Sequence, residues 1–74
     1  MSKLPPLKAR EIIKVLQKLG FQKVRQKGSH AFFSHRDGRT TVIPIHPTKQ
    51  LGKGLLRSIL NDLELSPEKF KKLL

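Results

Sequence analysis

The run Gly28-Ser29-His30-Ala31-Phe32-Phe33-Ser34-His35-Arg36-Asp37-Gly38-Arg39-Thr40-Thr41-Val42-Ile43-Pro44-Ile45-His46 decides the fold. β-Branched and aromatic residues flank Asp37-Gly38, a dipeptide that accepts the positive φ of a two-residue hairpin turn. The pattern predicts two antiparallel strands, His30 to Arg36 and Arg39 to Ile45. With Asp37 and Gly38 as the turn, Phe33 faces Val42, Phe32 faces Ile43 and His30 faces Ile45, while Arg36 opposite Arg39 is a mild like-charge penalty. Both faces then carry apolar groups. A turn one residue longer would flip one strand relative to the other, so the pattern leaves the buried face open. Pro44 and Pro47 bracket the end of the second strand and suggest an edge position.

Working outward, Phe21 to Lys27 alternates loosely and is short before Gly28, which fits a one-sided edge strand. Upstream, Ile12, Val15, Leu16 and Leu19 recur at helical spacing, with Lys8, Glu11, Lys14 and Lys18 on the other side. Gly20 is a natural C-terminal stop for that helix. Downstream, Leu55, Leu56, Ile59, Leu60 and Leu63 form the apolar stripe of a core helix entered through Gly52-Lys53-Gly54. Ser66-Pro67-Glu68 supplies an N-cap serine, a proline at the first helical position and an acidic residue in the first turn, predicting a short helix from Pro67 to Leu73. The order is α-β-β-β-α with a terminal helical turn. It predicts an α+β fold whose helices pack on one face of a three-stranded antiparallel sheet and leave the other face open. With no internal repeat or linker, residues 1–74 read as one domain.

Sixteen Lys and Arg stand against five Asp and Glu, a formal net charge of +11, and the pI is about 10.9. Such a chain seeks a polyanion, and nucleic acid is the commonest, since each cation that meets a phosphate releases a condensed counterion. An anionic membrane surface or an acidic protein would also satisfy the charge. The absence of cysteine excludes disulfides and a thiolate zinc site. No apolar run approaches the roughly 18 residues needed to span a bilayer, and the N-terminus has no signal-like stretch, so a soluble, cytoplasmic chain is expected.

Gly28-Ser29-His30 opens the hairpin, with glycine relaxing the backbone before a titratable side chain. RNA carries its own nucleophile, the 2′-hydroxyl. Its cleavage needs a group of near-neutral pKa to move a proton and cations to steady the phosphorane, and histidine suits the first task as Lys and Arg suit the second. Antiparallel pairing predicts that His46 lies at the same sheet edge as His30, as a second acid or a phosphate ligand. His35, at the turn end, reads as a surface histidine. Lys23, Arg25 and Lys27 alternate and are expected to share a face, opposite a buried Val24, where they would flank His30; equally, they fit a charged edge strand that discourages aggregation. Ser29 adjoins His30, and Lys49, Lys53 and Arg57 cluster around the entry to the second long helix, whose exposed N–H groups favour an anion. Taken alone, Arg57 fits a solvated flank as well as a phosphate contact. His30 and His35 project oppositely from a strand and only Asp37 adds a nearby carboxylate, so metal-independent chemistry without a cofactor is expected.

Four ordered blocks add a family resemblance: Gly20-Phe21, Gly28-Ser29-His30, Val42-Ile43-Pro44-Ile45-His46, and Gly54-Leu55-Leu56-Arg57-Ser58-Ile59-Leu60. Over about Leu7 to Leu65 the chain resembles the HicA toxin family. The resemblance implies a fold like a double-stranded-RNA-binding domain, cleavage of messenger RNA by the histidine of the Gly-Ser-His block, here His30, and neutralisation by a HicB antitoxin. The family pattern commonly has Thr where this chain has Leu55. Two further classes stay open: a non-catalytic RNA-binding module of double-stranded-RNA-binding type, and an interaction protein whose basic face docks an acidic partner.

Overall fold

Six elements follow one another in the expected order: α1 (Ala9–Leu19), β1 (Gln22–Lys27), β2 (His30–Ser34), β3 (Thr40–Pro44), α2 (Lys53–Leu63) and α3 (Pro67–Leu73). The computed structural model describes residues 6–46 and 50–74. Expectations resting on Pro47 and Lys49 lie outside the described residues. The strands form one antiparallel sheet in the order β1-β2-β3, so β2 is central and β3 is an edge.

The β2–β3 register corrects the expected one by a single residue: His30 pairs with Pro44, Phe32 with Val42 and Ser34 with Thr40. The loop has three residues, Arg36 to Gly38. His35 N–H donates to Arg39 O (2.9 Å) and Gly38 N–H donates back to His35 O (2.9 Å). Only Gly38 is left-handed, with φ of 100°; Asp37 keeps an ordinary φ and instead accepts Arg39 N–H on its carboxylate at 3.0 Å. This is a type I turn followed by a left-handed glycine, the common three-residue hairpin. The two-residue turn lies at the other hairpin, where Lys27 pairs with His30 across Gly28-Ser29. Gly28 there has φ of 59°, and a positive φ at the first loop position alone defines a II′ turn, which favours glycine.

The register settles the faces. Ala31, Phe33, Thr41 and Ile43 point into the core, whereas His30, Phe32, Thr40 and Val42 lie on the other side. α1 and α2 cover the first face, and α3 packs against α1. From α1, Ile12, Val15 and Leu16 are buried; from α2, Leu56, Ile59, Leu60 and Leu63; from α3, Phe70. Each of the larger apolar side chains contributes about 1.5–3 kcal/mol on burial. Leu55 departs from the expected stripe: it is 40 % exposed on the first turn of α2, because a helical face wide enough to include both Leu55 and Leu56 would turn Leu55 past the sheet. Thr41, the one buried polar residue of the described chain, donates its hydroxyl to Asp62 Oδ2 at 3.0 Å and so ties β3 to α2.

The helix ends follow local chemistry. At the start of α1, the Glu11 carboxylate accepts Lys8 N–H at 2.9 Å. α1 stops at Gly20 (φ 96°), after which Phe21 N–H donates to Leu16 O. A Cβ at Gly20 would stand 3.3 Å from the His35 ring, so both handedness and space favour glycine there. α2 ends on Glu64 in the left-handed conformation (φ 56°) without the benefit of glycine. Ser66 caps α3 as expected, its hydroxyl accepting Lys69 N–H at 3.2 Å with Pro67 following.

Candidate functional site

His30 is the first residue of β2 and lies exposed on the open sheet face. The tight Gly28-Ser29 turn fixes its parity: with two residues in the loop, Lys27 and His30 are directly opposed and share that face. On the other side His30 is paired with Pro44. Ser29 is half-buried, and its carbonyl accepts Ile45 N–H. His46, the next residue, is exposed just beyond β3, and so lies at the same end of the sheet as His30.

The cations of β1 divide. The register shifts between Lys23 and Arg25, an irregularity that leaves Val24 without a partner. Arg25 opposes Phe32 and Lys27 opposes His30, both on the open face, whereas Lys23 opposes Phe33 on the helix side and donates its ammonium to Gln26 Oε1 at 3.1 Å. Strict alternation therefore fails at two points. Lys23 does not share the face of Arg25 and Lys27, and Val24 is not buried but 63 % exposed. Lys53 and Arg57 are exposed on the first turns of α2, on the helix side of the sheet, and are not brought onto the His30 face.

Two features escape sequence reasoning. Arg25 lies over the Phe32 ring, its guanidinium carbon 4.6 Å from the centroid, an arrangement in which the cation meets the negative face of the π-system. At the opposite end of β2, His35 is not the surface histidine expected. Its Nε2 donates to Leu19 O at 3.0 Å, its Nδ1 receives Asp37 N–H at 3.1 Å, and its ring packs 5.0 Å from Phe21. Beside it, Arg39 donates to Asp37 Oδ2 (2.8 Å) and to Leu63 O (2.6 Å), and sits 5.1 Å over Phe21. The hairpin turn thereby caps the last carbonyls of α1 and α2, where basic groups are favoured by the helix dipole. Asp37 is held below the usual carboxylate pKa, first by the Arg39 backbone N–H and then by the Arg39 side chain. Alternation alone would put His35 opposite His30, toward the helices, and that was the available signal.

Fold and site together define a small basic α+β domain in the α-β-β-β-α-α order, with a histidine presented on its open sheet face. A sequence model described as HicA toxin of bacterial toxin–antitoxin systems matches residues 9–65, from the start of α1 to the residue after the α2 cap. The chain belongs to the HicA toxin family. Membership makes it the toxin of a toxin–antitoxin pair, implies an antitoxin as partner and supports an endoribonuclease in general terms. No curated protein matches it. No helix of the described residues is long and apolar enough to cross a membrane.

Proposed function

We infer that the protein is a metal-independent, cytoplasmic endoribonuclease that cuts messenger RNA with His30 and is silenced by a HicB-type antitoxin. The observation that carries this is the pairing of an exposed His30 with Lys27 on one face. A base is set beside a cation where an RNA backbone has free access. In the reaction, the ribose 2′-oxygen attacks the adjacent phosphorus, the bond to the 5′-oxygen of the next nucleotide breaks, and a cyclic phosphate is left. His30 takes the 2′-hydroxyl proton or gives one to the departing oxygen, and His46, at the same end of the sheet, is the candidate for the complementary transfer. Lys27, directly opposite His30, stabilises the charge that builds on the phosphorane oxygens, and Arg25, one pair further along, adds to the field that holds the RNA. Ser29, Lys53, Arg57 and Lys49 are assigned to guiding the RNA backbone, and Lys23 to a more distant contribution from the edge strand. The antitoxin acts by covering the His30 edge and excluding RNA.

The test is incubation of the wild type and His30→Ala with long single-stranded RNA in EDTA, resolved on a denaturing gel. Fragments from the wild type alone are expected. Intact RNA in both lanes with binding retained would replace the ribonuclease by a non-catalytic RNA-binding module.

A further inference from the structure

The open sheet face carries a small apolar cluster beside a cation. Phe32 is half-buried there, flanked by Val24 and Val42, which are 63 % and 36 % exposed. With Arg25, Ser34 and Thr40, and with Phe33 and Thr41 of the core-facing side reaching its floor, they line a shallow depression of about 380 Å³. Val24, Phe32 and Val42 themselves are not part of the core, which lies on the opposite face. A planar ring capped by a planar cation is a stacking platform: bases of single-stranded nucleic acid stack on aromatic rings and on guanidinium planes.

Position supplies the ligand's identity. Phe32 is two residues beyond His30 on β2, hence about 6.6–6.8 Å further along the same face. Arg25 and Lys27 run beside Phe32 and His30 on β1. A cation opposite His30 followed by a cation stacked on an aromatic ring matches a nucleotide whose phosphate meets Lys27 while its base leans on the Arg25–Phe32 pair. An apolar protein strand would leave those charges unmatched. In double-stranded RNA the bases are already stacked within the helix, so the platform selects unpaired RNA.

Building on the ribonuclease reading, we propose that Arg25 and Phe32, walled by Val24 and Val42, form a nucleobase subsite that holds an unpaired base flanking the phosphate at His30. The base stacks on the Arg25–Phe32 pair, and the Ser34 and Thr40 hydroxyls at the rim reach its edge. Stacking tolerates every base, so the subsite confers selection for single strands with modest sequence preference.

The experiment uses short single-stranded 2′-O-methyl RNAs, which lack the nucleophile and cannot be cut, with 2-aminopurine placed at successive positions. Stacking is expected to quench its fluorescence on binding at one position. Phe32→Leu, which keeps an apolar side chain outside the core, abolishes the quench and weakens binding roughly tenfold or more. Arg25→Lys weakens binding while keeping the salt dependence, because the charge remains and the plane is lost. An abasic nucleotide at the quenched position weakens binding to the wild type but not to Phe32→Leu. Unchanged binding and quench in Phe32→Leu overturn the proposal even where His30-dependent cleavage stands, and so does loss of antitoxin binding alone, which would give the face to the protein partner. Quenching by a wild-type protein that cuts no RNA would support the subsite and refute the ribonuclease.

Discussion

Strand β2 carries a histidine near each end, and the two do opposite things. His35 is stitched into the fold: a carbonyl of α1 takes its Nε2 proton, Asp37 meets its other nitrogen and Phe21 packs on its ring. His30, five residues away, is exposed and makes none of those contacts among the described residues. One residue type serves packing at one end and is left available to a ligand at the other. The difference is parity: an odd separation along a strand turns the two rings to opposite faces, one covered by helices and one bare. A titratable side chain is a functional candidate less by its type than by what its own fold leaves unsatisfied around it.

The sharpest way to break this comparison is a pair of alanine variants. His30→Ala is expected to lower RNA cleavage by about 10²- to 10⁴-fold, the usual contribution of general acid–base help, while its urea midpoint stays with the wild type. His35→Ala should do the reverse and cost on the order of 2–3 kcal/mol, since two hydrogen bonds of about 1 kcal/mol each and a ring contact are lost, with cleavage per folded molecule unchanged. Equal stability losses in both variants would erase the distinction.

Gly20→Ala probes the same end more finely. The left-handed backbone costs an alanine about 1–2 kcal/mol, and the His35 ring at 3.3 Å must also give way. In a His35→Ala background the steric part disappears, so thermal melts of the four proteins should show a smaller Gly20→Ala cost there. Additivity across that cycle would mean the ring is not the obstacle.

The smallest effect is on acid stability. The folded pKa of Asp37 lies below its unfolded value, so the stability it contributes is present above the ordinary carboxylate pKa of about 3.9 and is lost as pH falls through the lower folded value. Asp37→Asn should flatten that acid limb in a pH series of melting temperatures and leave the neutral range alone, apart from a constant offset for its altered hydrogen bonds.

The helices were legible because their apolar residues repeat at helical spacing and their stops, Gly20 and Ser66-Pro67, act locally. Strand existence was legible too, but strand register was not. Asp37-Gly38 suits both a two-residue and a three-residue loop, and only packing of Ala31, Phe33 and Ile43 against the helices selects the latter. The irregularity at Val24 has no signature among Lys, Arg and Gln, and it moved Lys23 off the His30 face. His35 and Arg39 reach partners 16 and 24 residues away, contacts that no local pattern carries. His30 was singled out by its Gly-Ser-His setting and by family resemblance; the tight Gly28-Ser29 turn that fixes its face lay in the sequence but was credited to the other hairpin.

Because the turn end of the hairpin caps two helices and, among the described residues, the other end caps none, opening need not be uniform along β2. The His35 amide, bonded to Arg39 O beside that double cap, should exchange with solvent only when the whole fold opens. The Ile45 amide, bonded to Ser29 O next to His30, should exchange through a cheaper local event. On that expectation, the end of the central strand that holds His30 would yield first while the core stays closed.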